Sequence, residues 1–524
     1  MSAKSTSLVA GPRAFVDTVL GRFTMYRLVT LTLVALVVVM IAFTAGGTFT
    51  DPFTVKAELA TLVVLLVASY VSSRAFAMIW RTVPHTESSI ITALLLFFLF
   101  WPSTTGADLG WLAVTAVLAN ASKYVLAWRG RHVFNPAAAG AFLVIVVQDV
   151  FGRDLPINAT WWIAAEQLLP FVAVGAVLVL WRTRRLDIGV VFVVLAAVLV
   201  MIGLLSLDQS FGQALRTTAY SFPIVFLAGF MLSEPLTLPP RRRQQLVVAA
   251  VTAVVFAYPT FVSTFTDSPP DFGWFRPTPE LALLVGNFVA FAFARRRGLV
   301  LELQDSRKVS PDTHELTFRA AKPLSFVPGQ YVELTVPHRK VDGRGIRRVF
   351  SISSPPDDRN VSLVLRVPDV SSSFKREIVS LERGSSVRAT GVGGDFVLPS
   401  DVGIPLLLVA GGIGITPFLS QLRHHVDRDV VLVYGAASVA EVAWTQELAD
   451  VRVVLVAPAR PETLPPSWTY VQAPFLSVDL IAEAVPDLAG REAFISGPPA
   501  MVNAVRGGLA SRCKRIHTDY FTGY

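Results

Sequence analysis

Two glycine-rich stretches in the C-terminal third of the chain could bind a phosphorylated nucleotide. AGGIGITP (410–417) follows an apolar run and opens a helical pattern. Glycines at such a turn let the main chain approach a pyrophosphate closely, and the start of the following helix favours negative charge. SGPPAM (496–501) ends a second apolar run. A glycine-rich turn alone is also typical of an ordinary strand-to-helix connection, so it is the pair of stretches that predicts a dinucleotide site.

The elements that must position these residues fall into two segments. Residues 297–402 consist of short β-type runs separated by Gly, Pro and Asp, and one of these runs is RRVFSISS (347–354). This pattern predicts a small antiparallel β-barrel. Residues 403–524 alternate apolar strands with helical stretches, which predicts a parallel, doubly wound α/β sheet. Both glycine-rich stretches would then lie at the carboxyl edge of that sheet, where ligands bind.

The order of these features resembles the ferredoxin–NADP reductase superfamily, in its NAD(P)H:flavin reductase branch. Four motifs carry the resemblance over residues 299–524: the barrel, Arg-x-Phe-Ser, the glycine-rich turn and Gly-Pro-Pro. It implies FAD in the barrel and a nicotinamide cofactor in the α/β segment. The resemblance therefore predicts an oxidoreductase in which hydride passes from NAD(P)H to FAD.

The resemblance also assigns roles to individual residues. Arg348 would neutralise the flavin phosphates, Phe350 would pack along the flavin, and Ser351 would reach the N5 edge of its ring. The other implied cofactor contacts are Ser372 and Ser373 for the flavin pyrophosphate, Gly411, Gly412, Gly414 and Thr416 for the nicotinamide cofactor's pyrophosphate, and Gly497, Pro498 and Pro499 beside its nicotinamide.

Three departures from the family pattern bear on the chemistry. Phe350 stands where the family usually has Tyr, so a hydroxyl contact is lost while stacking is kept. Ser496 replaces the usual Cys before Gly-Pro-Pro and can still hydrogen-bond near the hydride path. No Ser-Arg pair follows VVLVYGAAS (430–438), where NADPH enzymes of the family hold the 2′-phosphate. A phosphate there would favour a bidentate arginine, so NADH is favoured as the donor.

The end of the chain is aromatic. In some members of the superfamily a terminal aromatic residue covers the flavin face, and Tyr524 or Phe521 could do so here. A terminal tyrosine is also typical of an ordinary surface position. The candidate catalytic residues are Ser351, Ser496 and Tyr524.

Residues 1–296 have the composition of a polytopic α-helical membrane domain. The whole chain has 53% hydrophobic and 16% charged residues, and this segment contains about ten apolar runs, several near the roughly 20 residues that cross a bilayer. Basic clusters follow alternate runs, so the positive-inside rule predicts a multi-pass protein of the cell (inner) membrane with the reductase-like segments in the cytoplasm. The same clusters explain the net charge of +8, so no nucleic-acid partner is expected.

The sequence contains few residues that could bind an iron–sulfur cluster or a haem. Cys513 is the only cysteine, which excludes an intramolecular disulfide and a cysteine-ligated iron–sulfur cluster. The membrane segment has only His85 and His132, each beside an arginine-rich loop, whereas a haem would need paired histidines inside the spans. No metal site is predicted.

Two apolar stretches of the membrane segment look like copies of each other. LLLFFLFWPSTT (94–105) and FLAGFMLSEPLT (226–237) each reach a proline with Ser or Thr close by. Paired, proline-interrupted segments are typical of two inverted repeats around a central site. A third stretch, VFNPAAAGAF (133–142), opens a helix with Asn and Pro. The prolines could equally cap ordinary spans.

These stretches look like the membrane subunits B and D, respectively, of the sodium-pumping NADH:quinone reductase and of the Rnf electron-transport complex. The resemblance covers residues 57–295 and places Asn135, Glu234 and Thr237 near a bound cofactor, with Thr92 in the equivalent place on the first repeat. That family attaches FMN to the threonine of a Ser-Gly-Ala-Thr stretch, which QDVFGRDLPINATWW (148–162) lacks. A non-covalent flavin or a quinone is therefore expected.

Together, these patterns predict a flavoprotein embedded in the lipid bilayer that passes electrons from cytoplasmic NADH, through FAD, to a small-molecule acceptor among the helices. A further electron-transfer protein could be a partner. Two alternatives stay open. One is a transporter whose inverted-repeat membrane domain is coupled to a flavin reductase module. The other is a flavin reductase that is merely tethered to the membrane, for which about ten spans would be more than tethering requires.

Overall fold

A computed structural model describes residues 16, 19–20, 23–128, 131–151, 157–266, 277–294, 298–424 and 428–521, without the side chains of 148–151. Its internal contacts divide the chain into two compact units. One unit is Phe23–Arg296, and the other is Arg297–Tyr524 together with Met1–Arg22.

The first unit is almost entirely helical where it is described. Its main helices are α1 (Met25–Ala45), α2 (Val55–Ile79), α3 (Thr86–Leu99), α4 (Gly106–Val125), α5 (Pro136–Phe151), α6 (Leu169–Arg182), α7 (Leu186–Ser206), α8 (Phe211–Ser221), α9 (Ile224–Leu232), α10 (Arg242–Phe261) and α11 (Pro279–Ala294). A two-stranded hairpin, β1 (Ala127–Trp128) and β2 (Arg131–His132), precedes α5. Threonine side chains cap several of these helices, as at Thr24, Thr54 and Thr105, because a hydroxyl can accept a hydrogen bond from a free N–H of the first turn.

Helix length decides how many of these elements could cross a bilayer. By length and composition, four helices of the described residues are long and apolar enough: α1, α2, α7 and α10 with its short extension. The bent pair of α8 and α9, with a 45° break, would make a fifth. Four more helices are apolar but shorter: α3, α5, α6 and α11. These apolar helices are compatible with a membrane protein. The ten spans and the inverted repeats stay predictions.

Two helices end inside this unit, at the stretches that look like copies. Helix α3 ends at Leu99, and Phe100 then forms an isolated β-bridge with Ala159. Helix α9 finishes as a π-helix over Leu227–Leu232, all six residues of which are buried. Buried helix ends leave carbonyl groups without partners in their own helix, so other groups must bind them.

The second unit begins with the antiparallel barrel that the sequence predicts. Its strands are β3 (Leu299–Ser310), β4 (Thr313–Ala320), β5 (Tyr331–Thr335), β6 (Arg347–Ser351), β7 (Asn360–Arg366) and β8 (Ser386–Gly393), with the short helix α12 (Ser373–Val379) after β7. They pair in the order β6-β5-β8-β3-β4-β7. Ile352, directly after β6, bridges to Leu363 of β7, so the two edges of the sheet meet.

A parallel sheet follows, again as predicted. Its elements are β9 (Leu406–Gly411), α13 (Thr416–His424), β10 (Val430–Gly435), β11 (Arg452–Ala457), β12 (Trp468–Gln472), α14 (Val478–Ala484), β13 (Glu492–Gly497), α15 (Pro499–Ala510) and β14 (Arg515–Tyr520). The strand order is β12-β11-β10-β9-β13-β14, and every pair is parallel. All residues of β9 and β13 are buried, as expected for strands covered on both faces. Chain order reverses at β9, which creates a crevice at the carboxyl ends of β9 and β13.

Candidate functional site

The two glycine-rich stretches meet at the carboxyl ends of β9 and β13. A Cβ atom on Gly414 would lie 2.3 Å from the carbonyl oxygen of Ser496 and 2.6 Å from the Cα of Gly497. A Cβ atom on Gly497 would lie 3.1 Å from the carbonyl oxygen of Gly411. Only glycine allows main chains to approach this closely. The structure thus brings together the stretches that the sequence pairs as a dinucleotide site.

The turn itself has features of a phosphate cradle. Gly412 has a positive φ of 52°, and a Cβ there would meet nothing within 4 Å, so its backbone borders open space. The buried Thr416 begins α13 and donates its hydroxyl to the carbonyl of Ile413 at 3.1 Å. After the facing strand β13, Pro498 is the N-cap of α15 and Pro499 is the first residue of this helix. The first turn of a helix suits proline because the N–H group that proline lacks would have no partner in the helix there.

Ser496 provides a direct test of whether this crevice fits a polar ligand. Its side chain is fully buried, and its hydroxyl oxygen has no hydrogen-bond partner among the described residues. A buried hydroxyl without a partner is costly, and a polar group of a bound nicotinamide would supply one. The neighbouring strand places Asp519 in register with Ser496, so the two side chains share one face of the sheet.

Asp519 is a residue of this site that the sequence reasoning missed. Burial raises the pKa of Asp519 to about 6, although a hydrogen bond from the main-chain N–H of Tyr520 acts in the opposite direction. An acidic residue inside the β-type run RIHTDY (515–520) was the available signal. A carboxyl group beside the crevice can hold or release a proton near neutral pH.

The end of β6 is tied to the helix that follows the glycine-rich turn. Ser420 of α13 donates to the carbonyl of Ser354 at 2.7 Å, and Arg423 donates to the carbonyl of Ser353 at 3.1 Å. The buried Ser351 lies just before these residues, at the end of β6. The barrel motif and the nucleotide motif are therefore joined by direct hydrogen bonds.

Arg348 lies in a cluster of positive charge. Its guanidinium is buried, donates to the carbonyls of Arg344 and Arg347, and lies 5.2 Å from the ring centre of Phe374. Burial lowers the pKa of the nearby Lys375, and the charges of Arg348 and Arg344 lower it further. Like charges held together in this way favour an anionic ligand, so the cluster fits the phosphates of a flavin dinucleotide.

Ser372 and Ser373 have structural partners of their own. The Ser372 hydroxyl accepts from the N–H of Lys375 at 3.4 Å as the cap of α12. The Ser373 hydroxyl lies 2.8 Å from His338 Nε2 and accepts from the N–H of Asp342 at 3.0 Å. The Asp342 carboxylate in turn accepts from the Ser373 N–H. Hydrogen bonds from the N–H groups of Ser373 and Arg344 overcome the effect of burial and lower the pKa of Asp342.

The aromatic candidates differ in position. Phe350 is 9% exposed and stacks on Phe374 with ring centres 5.9 Å apart, so it belongs to the barrel core. The main-chain N–H of Phe521 donates to the carbonyl of Gly497 at 2.9 Å, which brings the chain's end to the nucleotide site. Tyr524 lies outside the described residues.

Comparisons with known proteins agree with this geometry. Residues 408–507 match the family model described as the oxidoreductase NAD-binding domain. The reductase subunit of an aromatic O-demethylase from Amycolatopsis is 34% identical over 242 residues, which cover 43% of this chain and 68% of the relative. Ferredoxin–NADP reductase B of Sorangium cellulosum is 30% identical, over 41% of this chain and 94% of the relative. The chain belongs to the ferredoxin–NADP reductase family.

A solved structure, that of an Amycolatopsis cytochrome P450 reductase, covers 43% of this chain and 70% of its own at 31% identity, with a TM-score of 0.37. As a member of the ferredoxin–NADP reductase family, the chain is an NAD(P)H-dependent, FAD-containing oxidoreductase. The C-terminal unit is its reductase module, and the prediction of this enzyme class and of these two cofactors is confirmed.

The helical unit of this reductase contains a second cluster of functional groups, around Glu234. Its Oε1 lies 2.8 Å from His132 Nε2, and its Oε2 accepts from Asn135 Nδ2 at 3.0 Å. Asn135 also caps α5 with its Oδ1, and its own N–H donates to the side chain of Asn287. The Thr237 hydroxyl donates to the carbonyl of Glu234 at 3.3 Å. Asn135, Glu234 and Thr237, which the sequence suggested, are therefore neighbours.

Positive charges surround the break after α9. Arg185 donates to the carbonyl of Ser233 at 2.7 Å, and Arg131 donates to the carbonyls of Pro235 and Leu236, each at 3.1 Å. Lys123 is close enough to interact electrostatically with Glu234. The two arginines bind carbonyl groups at and just after the end of the broken helix, whereas Lys123 donates to the carbonyl of Ser88 and to Asn120 Oδ1, each at 3.1 Å.

A cavity of about 50 Å³ opens beside this cluster. Its polar lining includes Asn135, Glu234, Ser88 and Thr92. Its apolar lining comes from residues such as Ile91, Leu95, Val179 and Phe230. From the sequence, His132 is considered only as a haem ligand and the basic residues of these loops are treated as topological, although His132 is only three residues before Asn135.

Proposed function

We propose that this reductase is membrane-bound and transfers electrons from NADH to an acceptor lodged in the cavity beside Glu234, a quinone or a second, non-covalent flavin. The observation that carries the proposal is the convergence of Asn135, Glu234 and Thr92 on one cavity between helix ends. An anchor would need only apolar surface, whereas the partly buried Glu234 carboxylate, 19% exposed, has side-chain partners at 2.8 and 3.0 Å. An ionisable residue in a membrane segment is a functional candidate by default.

The reductase module would hold both cofactors with the residues that the family pattern assigns. Arg348, with Lys375 nearby, would bind the flavin phosphates, and Gly411, Gly412, Gly414 and Thr416 would line the nicotinamide cofactor's pyrophosphate. Gly497, Pro498 and Pro499 would border the nicotinamide, with Ser351 and Ser496 nearest to the reacting atoms. Bound FAD supplies the conversion of a hydride into electrons that leave singly.

The donor is proposed to be NADH. After β10, the main-chain N–H of Ala437 donates to the Glu441 carboxylate at 3.3 Å, and residues 436–444 contain no Lys or Arg. A carboxylate suits a ribose 2′-hydroxyl, and Glu441 is itself paired with Arg366 at 2.8 Å through its other oxygen. The ratio of the kcat/KM values for the two cofactors measures this preference. We expect kcat/KM for NADH to exceed that for NADPH by at least roughly 10-fold, since one contact between a cationic side chain and the 2′-phosphate would be worth about 1.5–3 kcal/mol.

The full-length protein in detergent tests the whole proposal. NADH should bleach its flavin absorbance, and a short-chain quinone added afterwards should restore it. The number of flavins per chain distinguishes the two possible acceptors. Two flavins per chain indicate a second flavin bound in the helical unit, and one flavin per chain indicates that the cavity binds the quinone. Reduction of ferricyanide without reduction of quinone, with one flavin per chain, would overturn the membrane part of the proposal.

Two other functions give different results in the same preparations. A transporter would move a solute into vesicles in the absence of NADH. An electron-transfer protein as acceptor is suggested by the relatives whose names describe reductase subunits of oxygenase systems, and a reductase of that kind would reduce such a protein while leaving quinone oxidised.

A further inference from the structure

We infer that Glu234 and His132 form a proton-transfer pair for the acceptor in the cavity, and that the acceptor is therefore a quinone, which takes up protons together with electrons. This inference rests on the proposed function and adds to it the class of substrate and the two residues that supply protons. Glu234 lines the cavity, so it would contact the substrate. His132 would act through Glu234.

The contact between the two side chains requires a proton. His132 Nε2 and Glu234 Oε1 lie 2.8 Å apart, a distance at which two lone pairs would repel each other and one shared proton makes a strong hydrogen bond. The pair therefore shares at least one proton. His132 is 8% exposed and belongs to the hairpin before α5, in a loop whose basic residues predict the cytoplasmic side. Water on that side could reload the pair.

The carboxylate is fixed in place rather than free to rotate. Asn135 Nδ2 donates to its second oxygen at 3.0 Å. Asn135 is itself held by the Asn287 side chain, which accepts from its N–H at 2.8 Å, and by the first turn of α5. Asn287 is completely buried, and its Nδ2 has no hydrogen-bond partner among the described residues. A fixed donor and acceptor geometry is what proton transfer in a transition state requires.

The charges around the pair explain why protons must follow electrons. Lys123, Arg131 and Arg185 face Glu234 or the carbonyls beside it, and the phenol of Tyr26 also lines the cavity. These cations would attract electron density to the acceptor, because unlike charges interact strongly in a medium of low dielectric constant. A doubly reduced quinone without protons would still be a buried dianion, which is unfavourable until its oxygens are protonated.

The cavity suits one end of a quinone ring. Its lining combines polar side chains, such as Glu234, Asn135 and Ser88, with apolar ones, such as Ile91 and Phe230. A volume of about 50 Å³ has room for roughly three or four water-sized probes. A carbonyl group could therefore enter with a short chain of water, while the apolar side chains contact the ring.

The reaction balances as NADH + H⁺ + quinone → NAD⁺ + quinol. NADH supplies two electrons and, on losing its hydride to the reductase module, one of the two protons needed overall. Each quinone carbonyl oxygen gains one proton and becomes a hydroxyl, and the second proton comes from water. Glu234 would deliver these protons at the cavity, and His132 would replace them.

The test compares two acceptors in the full-length protein in detergent. Ferricyanide takes one electron and no proton, whereas a short-chain ubiquinone takes two of each. Glu234→Gln and His132→Gln should lower the rate of quinone reduction, relative to ferricyanide reduction, about 100-fold, because a positioned acid or base typically contributes 10²–10⁴-fold. Quinone reduction by the unaltered protein should also slow in D₂O and vary with pH, while both effects should shrink in the variants. The KM for quinone should change less than kcat.

Glu166→Gln is the matched control, since Glu166 is an exposed glutamate of the same unit, paired with Arg216 at 2.6 Å. It should leave the ratio and the pH profile unchanged. Glu234→Asp, which keeps the proton but shortens the side chain, should fall between the unaltered protein and Glu234→Gln. If the variants do not fold, the solvent isotope effect in the unaltered protein still decides, because equal rates in H₂O and D₂O would overturn the inference.

The inference and the proposed function fail in different ways. If the unaltered protein reduces ferricyanide but no quinone, the proposed function is wrong. If it reduces quinone and both Gln variants keep its ratio of rates and its pH profile, the electron path stands and the proton-transfer pair is wrong.

Discussion

The nucleotide site of the reductase module and the cavity of the helical unit are built from different parts of the chain. In the nucleotide site, main-chain atoms of two short motifs approach closely, as the 2.3 Å distance from an added Cβ on Gly414 to the Ser496 carbonyl shows. Around the cavity, charged and polar side chains are paired across long distances in sequence. His132 and Glu234 are 102 residues apart, and Asn135 and Glu234 are 99 apart.

This difference follows from what each site must do. A pyrophosphate is bound by N–H groups at a strand-to-helix turn, so glycines that expose those groups are sufficient. A site among apolar helices has no water to bind the ends of broken helices, so side chains must do so. The nucleotide site should therefore be sensitive to added carbon atoms, and the cavity to lost polar groups.

The largest expected effect comes from adding one methyl group to the nucleotide site. In Gly414→Ala, the new Cβ would overlap main-chain atoms of Ser496 and Gly497, so one motif must move. A displacement of about 1 Å at such a site can cost roughly 100-fold in rate. We expect a loss of at least that size in kcat/KM for NADH, measured with ferricyanide.

Gly507→Ala is the matched control, since a Cβ on this helical glycine would meet nothing within 4 Å. It should keep the rate and stabilise α15 by about 0.5–1 kcal/mol. Equal rates in the two variants would show that the close approach of main chains has no role.

The carboxyl groups of the two sites extend the comparison to pH. Glu234 has a partner in His132, whereas burial dominates at Asp519 and raises its pKa to about 6. A raised carboxyl pKa means that the folded state binds this proton more tightly, so the stability it contributes is complete below about pH 4 and is lost as the pH rises through 6. Asp519→Asn should remove that loss and make the protein more stable than the unaltered one by about 2–3 kcal/mol at pH 8, but not at pH 4.

Thermal release of flavin from the full-length protein measures this effect at each pH. The change of stability with pH should have the opposite sign at Asp487, because a hydrogen bond from Arg491 lowers the pKa of Asp487. Asp487→Asn should therefore lose stability near neutral pH and not at acid pH. The same pH response in both variants would contradict the assignment of burial as the cause at Asp519.

The same difference in construction explains what the sequence could predict. The barrel, the parallel sheet and the nucleotide motifs depend on local spacing, and a glycine-rich turn between an apolar strand and a helix has few other uses. Family membership confirmed the enzyme class that these motifs predicted. Asp519 was missed because it carries no local motif, and only the register of β14 beside β13 brings it to Ser496.

In the helical unit, prolines marked the helix breaks, but the partners of those breaks come from distant helices. Arg131 and Lys123 looked like topological residues because loop arginines and lysines usually are, and His132 was considered only as a haem ligand. Their hydrogen bonds and charges point to the break after α9, which depends on how the helices pack and not on the local sequence. Thr92 and Glu234 line the same cavity, while the cofactor contacts that the resemblance implies and the number of spans stay predictions.

Arg348 tests the side-chain part of the reductase module. Arg348→Ala removes a buried charge from the cluster that includes Lys375. A hydrogen bond to a charged group is worth about 1.5–3 kcal/mol, so FAD affinity should fall roughly 10- to 100-fold. Flavin content after purification and titration with FAD measure it. Arg319→Ala, at an exposed position of the same barrel, should keep its flavin, and full flavin content in the Arg348 variant would contradict the assignment.

The smallest effect is expected at the other broken helix, where neutral groups replace the charges seen around Glu234. The indole N–H of Trp162 donates to the carbonyls of Phe97 at 2.9 Å and Phe100 at 2.8 Å, at the end of α3. Trp162→Phe would leave these carbonyls without that donor, at a cost of about 1–2 kcal/mol. The thermal midpoint of the helical unit in detergent should fall slightly, while Trp101→Phe, at an exposed tryptophan of the same break, should not change it. Because no charge is removed, the pH profile of quinone reduction should stay that of the unaltered protein. A changed profile would show that the break after α3 also takes part in proton transfer, and not only the break beside Glu234.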